Sequence, residues 1–181
     1  MYNPLFPVLG QSKQTYFEDD RGYFVETFSE KELIEKTGMM FGKFVQDSQA
    51  YNRKKGTFRG IHAQIEPHAQ TKLVWCTRGS IMDFVVDLRT NSPTFGKWIS
   101  FEISYKNRLQ ILIPKGFGHA YYTLEDDTEV LYKFDDYYHG ELNKTINYKD
   151  PFIGLRLPSS VNEISEKDDF ASNLLEQGNL F

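Results

Sequence analysis

KLVWCTRGSIMDFVVDLR, residues 72–89, sets the fold class of this chain. Two apolar runs of strand length flank Thr77–Ser80, with Gly79 as the turn residue, which is the pattern of a β-hairpin. In the second run Met82, Phe84, Val86 and Leu88 fall on one face and Ile81, Asp83, Val85 and Asp87 on the other, a period of two. Outward from this stretch the rhythm continues. A loop at Arg89–Gly96 leads to KWISFEIS (97–104), and RLQILIP (108–114) ends at Pro114. PKGFGHAYYTLE (114–125) and EVLYKFDDYY (129–138) follow, separated by a turn at Glu125–Thr128. Short strands at this spacing, from Phe44 to about Tyr138, predict an all-β sandwich, jelly roll or small barrel.

Helices are few. Ser29-Glu30-Lys31-Glu32 has the spacing of a capping box. Phe28 and Leu33 are placed as a hydrophobic staple and Gly38 as a stop, so Glu30–Thr37 is expected to be helical. Ser165-Glu166-Lys167-Asp168 predicts a second, short helix near the end. No repeat, low-complexity tract or linker interrupts the 181 residues. That length suits one domain and buries roughly two thirds of the unfolded surface, enough for a core and a pocket.

Bulk properties exclude several classes. Net charge is −4 with acids and bases interspersed, which lacks the concentrated basic face of a nucleic-acid binder. The single cysteine, Cys76, rules out an internal disulfide framework and predicts a reducing, cytoplasmic setting. No apolar run approaches the roughly twenty residues of a spanning helix. The N-terminal segment has neither the charged region nor the apolar region of a signal peptide. Aromatic residues make up 15% of the chain, eleven of them tyrosine, a composition suited to a pocket that stacks on rings.

FRGIHAQIEPHAQTKLVW, residues 58–75, places an arginine, a histidine and a lysine inside a strand-like run, equipment for an anionic substrate with an acidic C–H bond. His62, Lys72, Tyr132 and Asp168 together make a proton-transfer set. An imidazole titrates near neutrality and serves as a base. A carboxylate orients it and stabilises the imidazolium. A lysine stabilises an enolate oxygen, and a tyrosine returns a proton from the other side. Arg21, Arg59 and Lys72 are suited to a diphosphate. Taken singly, each residue has a structural reading too. Asp168 fits as the N3 residue of a capping box, Tyr132 as core, and His119 as a packing or hydrogen-bonding residue in a turn-rich segment.

The segments DDRGYFVETF (19–28), FVQDS (44–48), FRGIHAQ (58–64), AQTKLVW (69–75), GSIMDFVVDLR (79–89), SPTFGKW (92–98), NRLQILIPKGFGHAYYTL (107–124), VLYKFDDYY (130–138) and SEKD (165–168) resemble, in order, the RmlC-like nucleotide-sugar epimerases. The resemblance implies a cupin-type jelly roll, a double-stranded β-helix with a few short flanking helices, as one domain over 1–181. It implies an isomerase that inverts C3, C5 or both in a nucleotide-linked 4-keto sugar, with no cofactor and no metal. Partners implied are the nucleotide-diphosphate sugar and a second copy of the chain exchanging N-terminal strands, with no nucleic acid and no membrane. His62 is then the base, Asp168 its support, Lys72 the enolate stabiliser and Tyr132 the opposing acid. Arg21, Glu26, Gln46, Ser48, Arg59, Tyr138 and Lys167 fall at pocket positions. Tyr23 matches an aromatic that stacks on the base, and His119 a second pocket histidine.

Three departures stand out. Ser48-Gln49-Ala50 replaces an asparagine-and-serine stretch and the loop to Arg59 is slightly longer, which opens GDP or CDP beside dTDP as the carrier. Ala63 replaces a large aromatic, read as room for a bulkier sugar such as a heptose. Leu157-Pro158 replaces a tryptophan-proline pair. Three other activities compete. A 3,4-ketoisomerase enolises the same ketone but does not require a tyrosine opposite the histidine. A metal-dependent cupin needs a tight HxH pair, and Ala63-Gln64 follows His62 instead. A non-catalytic sugar-nucleotide-binding cupin would not need the four-residue set.

Overall fold

The computed structural model describes residues 9–181. Two five-stranded antiparallel sheets face one another. The first has the order β1 (Gly10–Lys13), β9 (Leu109–Ile113), β6 (Lys72–Arg78), β11 (Thr128–Phe134), β4 (Gln46–Asn52). The second has the order β12 (Asn143–Thr145), β5 (Phe58–Gln64), β10 (Phe117–Thr123), β7 (Ser80–Asp87), β8 (Trp98–Ser104). A separate hairpin, β2 (Tyr16–Asp19) with β3 (Gly22–Val25), projects from the N-terminal side. Among the described residues no helix is long and apolar enough to cross a membrane.

The expected hairpin at 72–89 is not one. β6 pairs with β9 and β11 in one sheet, while β7 pairs with β8 and β10 in the other. Gly79, at φ +71°, turns the chain from the first sheet into the second. The turn at Glu125–Thr128 does the same between β10 and β11. Crossing between sheets, rather than folding back within one, is what winds the two sheets into a jelly roll.

Both faces of each sheet are covered, so three apolar layers form. Between the sheets lie Val74, Cys76, Ile81, Val85, Ile103, Ile111, Tyr121 and Val130. The outer face of the second sheet carries Phe58, Ile61, Ala63, Phe84, Val86 and Tyr122, and the C-terminal segment packs on it through Ile146, Ile153, Leu174 and Leu180. On the outer face of the first sheet, Leu73, Trp75 and Leu112 meet Leu33 of α1 (Glu30–Thr37) and the staple residue Phe28. Helix α1 has the expected caps. Ser29 Oγ accepts from the Glu32 N–H, and Gly38 closes the helix in the left-handed region. The Glu32 carboxylate pairs with Lys36 rather than reaching back, so the capping box is half made. This layering also corrects the reading of Ala63. Its side chain lies in the outer layer under the C-terminal segment and not in the interior, so it makes no room for a larger sugar.

β5 breaks its own alternation, and the break positions the site. Phe58 and Ile61 are three residues apart yet share the outer core. The reason is a bulge. His119 pairs with His62 and Tyr121 with Arg59, so Gly60 and Ile61 together oppose the single residue Ala120. Both Arg59 and His62 therefore turn to the interior side. Gly60 has φ +135°, and a Cβ there would lie 2.3 Å from the Ala120 Cβ. Gly60→Ala is expected to cost about 2–4 kcal/mol through strain at positive φ and overpacking. Urea denaturation measures this, and a change below about 0.5 kcal/mol would show that the bulge does not require glycine.

Candidate active site

The interior is open at one end as a cavity of about 240 Å³. Its walls come from both sheets. The second sheet supplies Arg59, His62 and Gln64 from β5 and His119 and Tyr121 from β10. The first sheet supplies Lys72 from β6, Tyr132 and Phe134 from β11 and Ala50 from β4, and Tyr138 and Asn143 close the rim. His62 and Tyr132 thus face the same space from opposite sheets. An adjoining opening is lined by Arg59, His62, Lys167 and Asp168.

Asp168 sits in α2 (Glu166–Asp169), whose N-cap Ser165 accepts from the Asp168 N–H. In a complete capping box its carboxylate would turn back to the N-cap. Here it turns to β5 instead. Oδ1 lies 2.7 Å from His62 Nε2, and Oδ2 accepts the Gly60 N–H at 3.2 Å. Burial favours the neutral acid, but these hydrogen bonds outweigh it and hold Asp168 below the usual carboxylate range. The His62 ring is displaced downward, because burial disfavours the imidazolium more than Asp168 restores it. At neutral pH this gives a neutral imidazole beside an ionised carboxylate, the state a general base requires.

Lys72 is almost fully buried, and its Nζ donates to the His62 carbonyl at 3.2 Å. Burial pulls its pKa down to about 8, with Asp83 acting in the opposite direction. Tyr132 is pushed well above 10 by burial and by the neighbouring Tyr121 and Asp83, so its hydroxyl keeps its proton. Behind these groups His119 Nε2 lies 2.5 Å from Asp83 Oδ2, both side chains buried, and the His119 ring meets Tyr132 edge-on at 5.9 Å. Asn52 Oδ1 accepts from both Arg59 Nε and the Tyr121 hydroxyl, tying the cavity mouth to its wall.

The four residues of the proton-transfer set therefore converge, as do Arg59, His119 and Tyr138. Lys167 lines the adjoining opening. Gln46 works through a neighbour, since its Oε1 accepts the Tyr138 N–H and its Nε2 donates to Ser48 Oγ. Ser48 pairs with Tyr132 across the β4–β11 ladder. Arg21, Tyr23 and Glu26 are not brought to the cavity of their own chain. Arg21 is fully exposed and paired with Asp19. Tyr23 is exposed on the β2–β3 hairpin against Tyr16. Glu26 lines a cleft beside α1. Sequence reading missed Tyr121, Gln64, Gln70 and Asn143. Tyr121 was legible, since it lies two residues from His119 on the same strand face.

An acid–base pair facing a buried tyrosine and lysine across a jelly-roll interior defines a cupin equipped for proton transfer. The comparisons with known proteins give the particular group: residues 9–176 match the sequence profile of the dTDP-4-dehydrorhamnose 3,5-epimerases, and the chain belongs to that family, an isomerase acting on carbohydrates. A dTDP-4-dehydrorhamnose 3,5-epimerase of Sinorhizobium fredii is 44% identical over 161 residues, covering 88% of this chain and 82% of that protein. The Bacillus anthracis enzyme, solved with TDP and PPi bound, superposes with a TM-score of 0.87 at 38% identity over 93% of this chain and 95% of that one. The Legionella pneumophila enzyme in complex with dTDP-4-keto-L-rhamnose gives 0.87 at 37% identity, over 93% and 89%.

The pKa displacements dictate a pH profile. If His62 is the base and Lys72 its electrostatic partner, the reaction requires the first neutral and the second charged. The profile of kcat/KM is then bell-shaped, rising through a midpoint below 6.5 and falling near 8. Asp168 raises the His62 pKa, so Asp168→Asn moves the acid limb to still lower pH while cutting the rate about 100-fold. A profile whose acid limb stays in place or moves upward in Asp168→Asn would contradict the pairing.

Proposed function

We propose that this chain is a 3,5-epimerase of a dTDP-linked 4-keto-6-deoxyhexose, acting without a cofactor. The observation that carries this reading is the pair His62–Asp168 on one wall of the cavity with Tyr132 on the other. A 4-keto group acidifies the hydrogens at C3 and C5. His62 removes one as a proton, and its electron pair moves through the carbon–carbon bond to the carbonyl oxygen. The Lys72 ammonium stabilises that enolate oxygen. Tyr132 delivers a proton to the opposite face of the same carbon, which inverts it, and solvent exchange resets His62 and Tyr132. Arg59 and Lys167, exposed beside His62, suit the diphosphate, with the arginine giving a bidentate contact.

The carrier is read as dTDP because the matched relatives are named for a dTDP sugar, with GDP and CDP kept as alternatives. Proton NMR in D2O with dTDP-, GDP- and CDP-linked 4-keto sugars decides the carrier. Loss of both H3 and H5 signals from the dTDP sugar is expected. Exchange only with a GDP or CDP sugar would overturn the carrier assignment, and loss of one signal would make the enzyme a mono-epimerase.

The exposed hairpin supports the second half of the proposal, a homodimer in which N-terminal strands complete the partner's site. Phe17, Tyr23 and Phe24 are all more than 60% exposed there, an apolar surface unusual for a free hairpin. Light scattering should give twice the 21.2 kDa chain mass, and Phe24→Glu should shift it toward one. A wild-type mass of a single chain would refute the dimer.

A further inference from the structure

A second cluster of titratable groups stands at the cavity rim, apart from the proton-transfer set. His68 lies in the loop after β5. Asp136, His139 and Glu141 lie in the segment after β11. The rings of His68 and His139 stack with centroids 3.9 Å apart and an interplanar angle of 17°. His68 Nδ1 is 3.1 Å from Asp136 Oδ2, and His139 Nδ1 is 3.4 Å from Glu141 Oε1. One ligand atom from each of His68, Asp136 and His139 lies within 4.8 Å of the other two.

Two buried glutamines hold this cluster together from behind. Gln64 Nε2 donates to the carbonyls of His68 and Tyr137, and its Oε1 accepts the His139 N–H at 2.8 Å. Gln70 Nε2 donates to the Asp136 carbonyl at 2.8 Å, and Asp136 Oδ1 accepts the Tyr137 N–H. The two chain segments are thus fixed against each other by bonds that use none of the side-chain atoms His68 Nδ1, Asp136 Oδ2 or the His139 ring nitrogens.

We propose that His68, Asp136 and His139 form a three-ligand binding site for a divalent transition-metal ion of the Zn²⁺ type, with water as the fourth ligand. Imidazole nitrogens with carboxylate oxygens select Zn²⁺, Co²⁺, Ni²⁺ or Cu²⁺, whereas Ca²⁺ and Mg²⁺ need a cage of oxygens that this cluster does not offer. Metal–nitrogen and metal–oxygen bonds of about 2.0–2.1 Å place tetrahedral ligand atoms about 3.3 Å apart. The His68–Asp136 nitrogen–oxygen separation of 3.1 Å is close to that edge, and the stacked His139 ring turns out of its stack to bring its nitrogen onto the same ion. An ion here ties the loop after β5 to the segment that carries Tyr138, a wall of the substrate cavity. It therefore acts on how the rim is held and takes no part in the proton transfer.

The test is a titration of the chelator-treated full chain, with Zn²⁺ followed by calorimetry and Co²⁺ by visible absorption. One equivalent should bind to the wild type and to His62→Asn alike. In His139→Ala the affinity should fall about tenfold or more, with the metal-free unfolding midpoint unchanged. His139→Asn serves if the alanine variant is unstable. Failure to bind either ion at millimolar concentration would overturn the site, as would wild-type affinity in His139→Ala. Loss of binding in His62→Asn instead would place the ion in the catalytic cavity and overturn the proposal as well.

Discussion

One carboxylate joins the architecture to the chemistry. Asp168 accepts the amide of the β5 bulge with one oxygen and faces the His62 imidazole with the other. The bulge turns His62 inward, and the same distortion exposes the amide that fixes the carboxylate. Neither half stands without the other. A regular β5 would carry Arg59 and Ile61 inward and put His62 in the outer core. Without the short helix that presents Asp168, the Gly60 amide would be left buried and unpaired, a cost of about 1–3 kcal/mol.

Around this bond the interior is polar in a place where apolar packing would be more stable. Lys72, Asp83, His119, Tyr121 and Tyr132 all occupy the space between the sheets and are all wholly or largely buried. Burying charge is costly unless it is paired. The pairs are present for His119 with Asp83, and Lys72 gains a carbonyl and the field of Asp83. Desolvation lowers the proton affinity of His62 and Lys72 and raises that of Tyr132. At neutral pH the same low dielectric therefore leaves His62 neutral and the Tyr132 hydroxyl protonated while Lys72 still carries its charge. The remaining stability comes from the three apolar layers, including the outer cover that the C-terminal segment lays over the second sheet.

The strands of the core were legible in the sequence because their period-two patterns are strong. Their partners were not. The runs on either side of Gly79 look like hairpin arms, and nothing local distinguishes a turn within a sheet from an arch between sheets. Met82, Phe84 and Val86 on one side and Ile81 and Val85 on the other already show two apolar faces, which is the signature of a strand buried on both sides. The caps of α1 and the start at Ser165 were read from local chemistry and match, since caps depend on neighbours in sequence. Ala63 was misread because neighbours on a strand face opposite sides, so a residue next to an inward His62 points to the outer layer; the bulge at Gly60, by contrast, had that glycine as its one visible sign. Arg21 and Tyr23 match family positions yet do not line the cavity of their own chain, which is what the proposed dimer accounts for.

The central claim is that His62 removes one proton and Tyr132 supplies another from the opposite wall. Solvent-deuterium wash-in, followed beside inversion in the same samples, separates the two roles. The account requires that His62→Asn abolish both wash-in and inversion, while Tyr132→Phe keeps wash-in and loses most of the inversion. Wild-type wash-in by His62→Asn would contradict it outright.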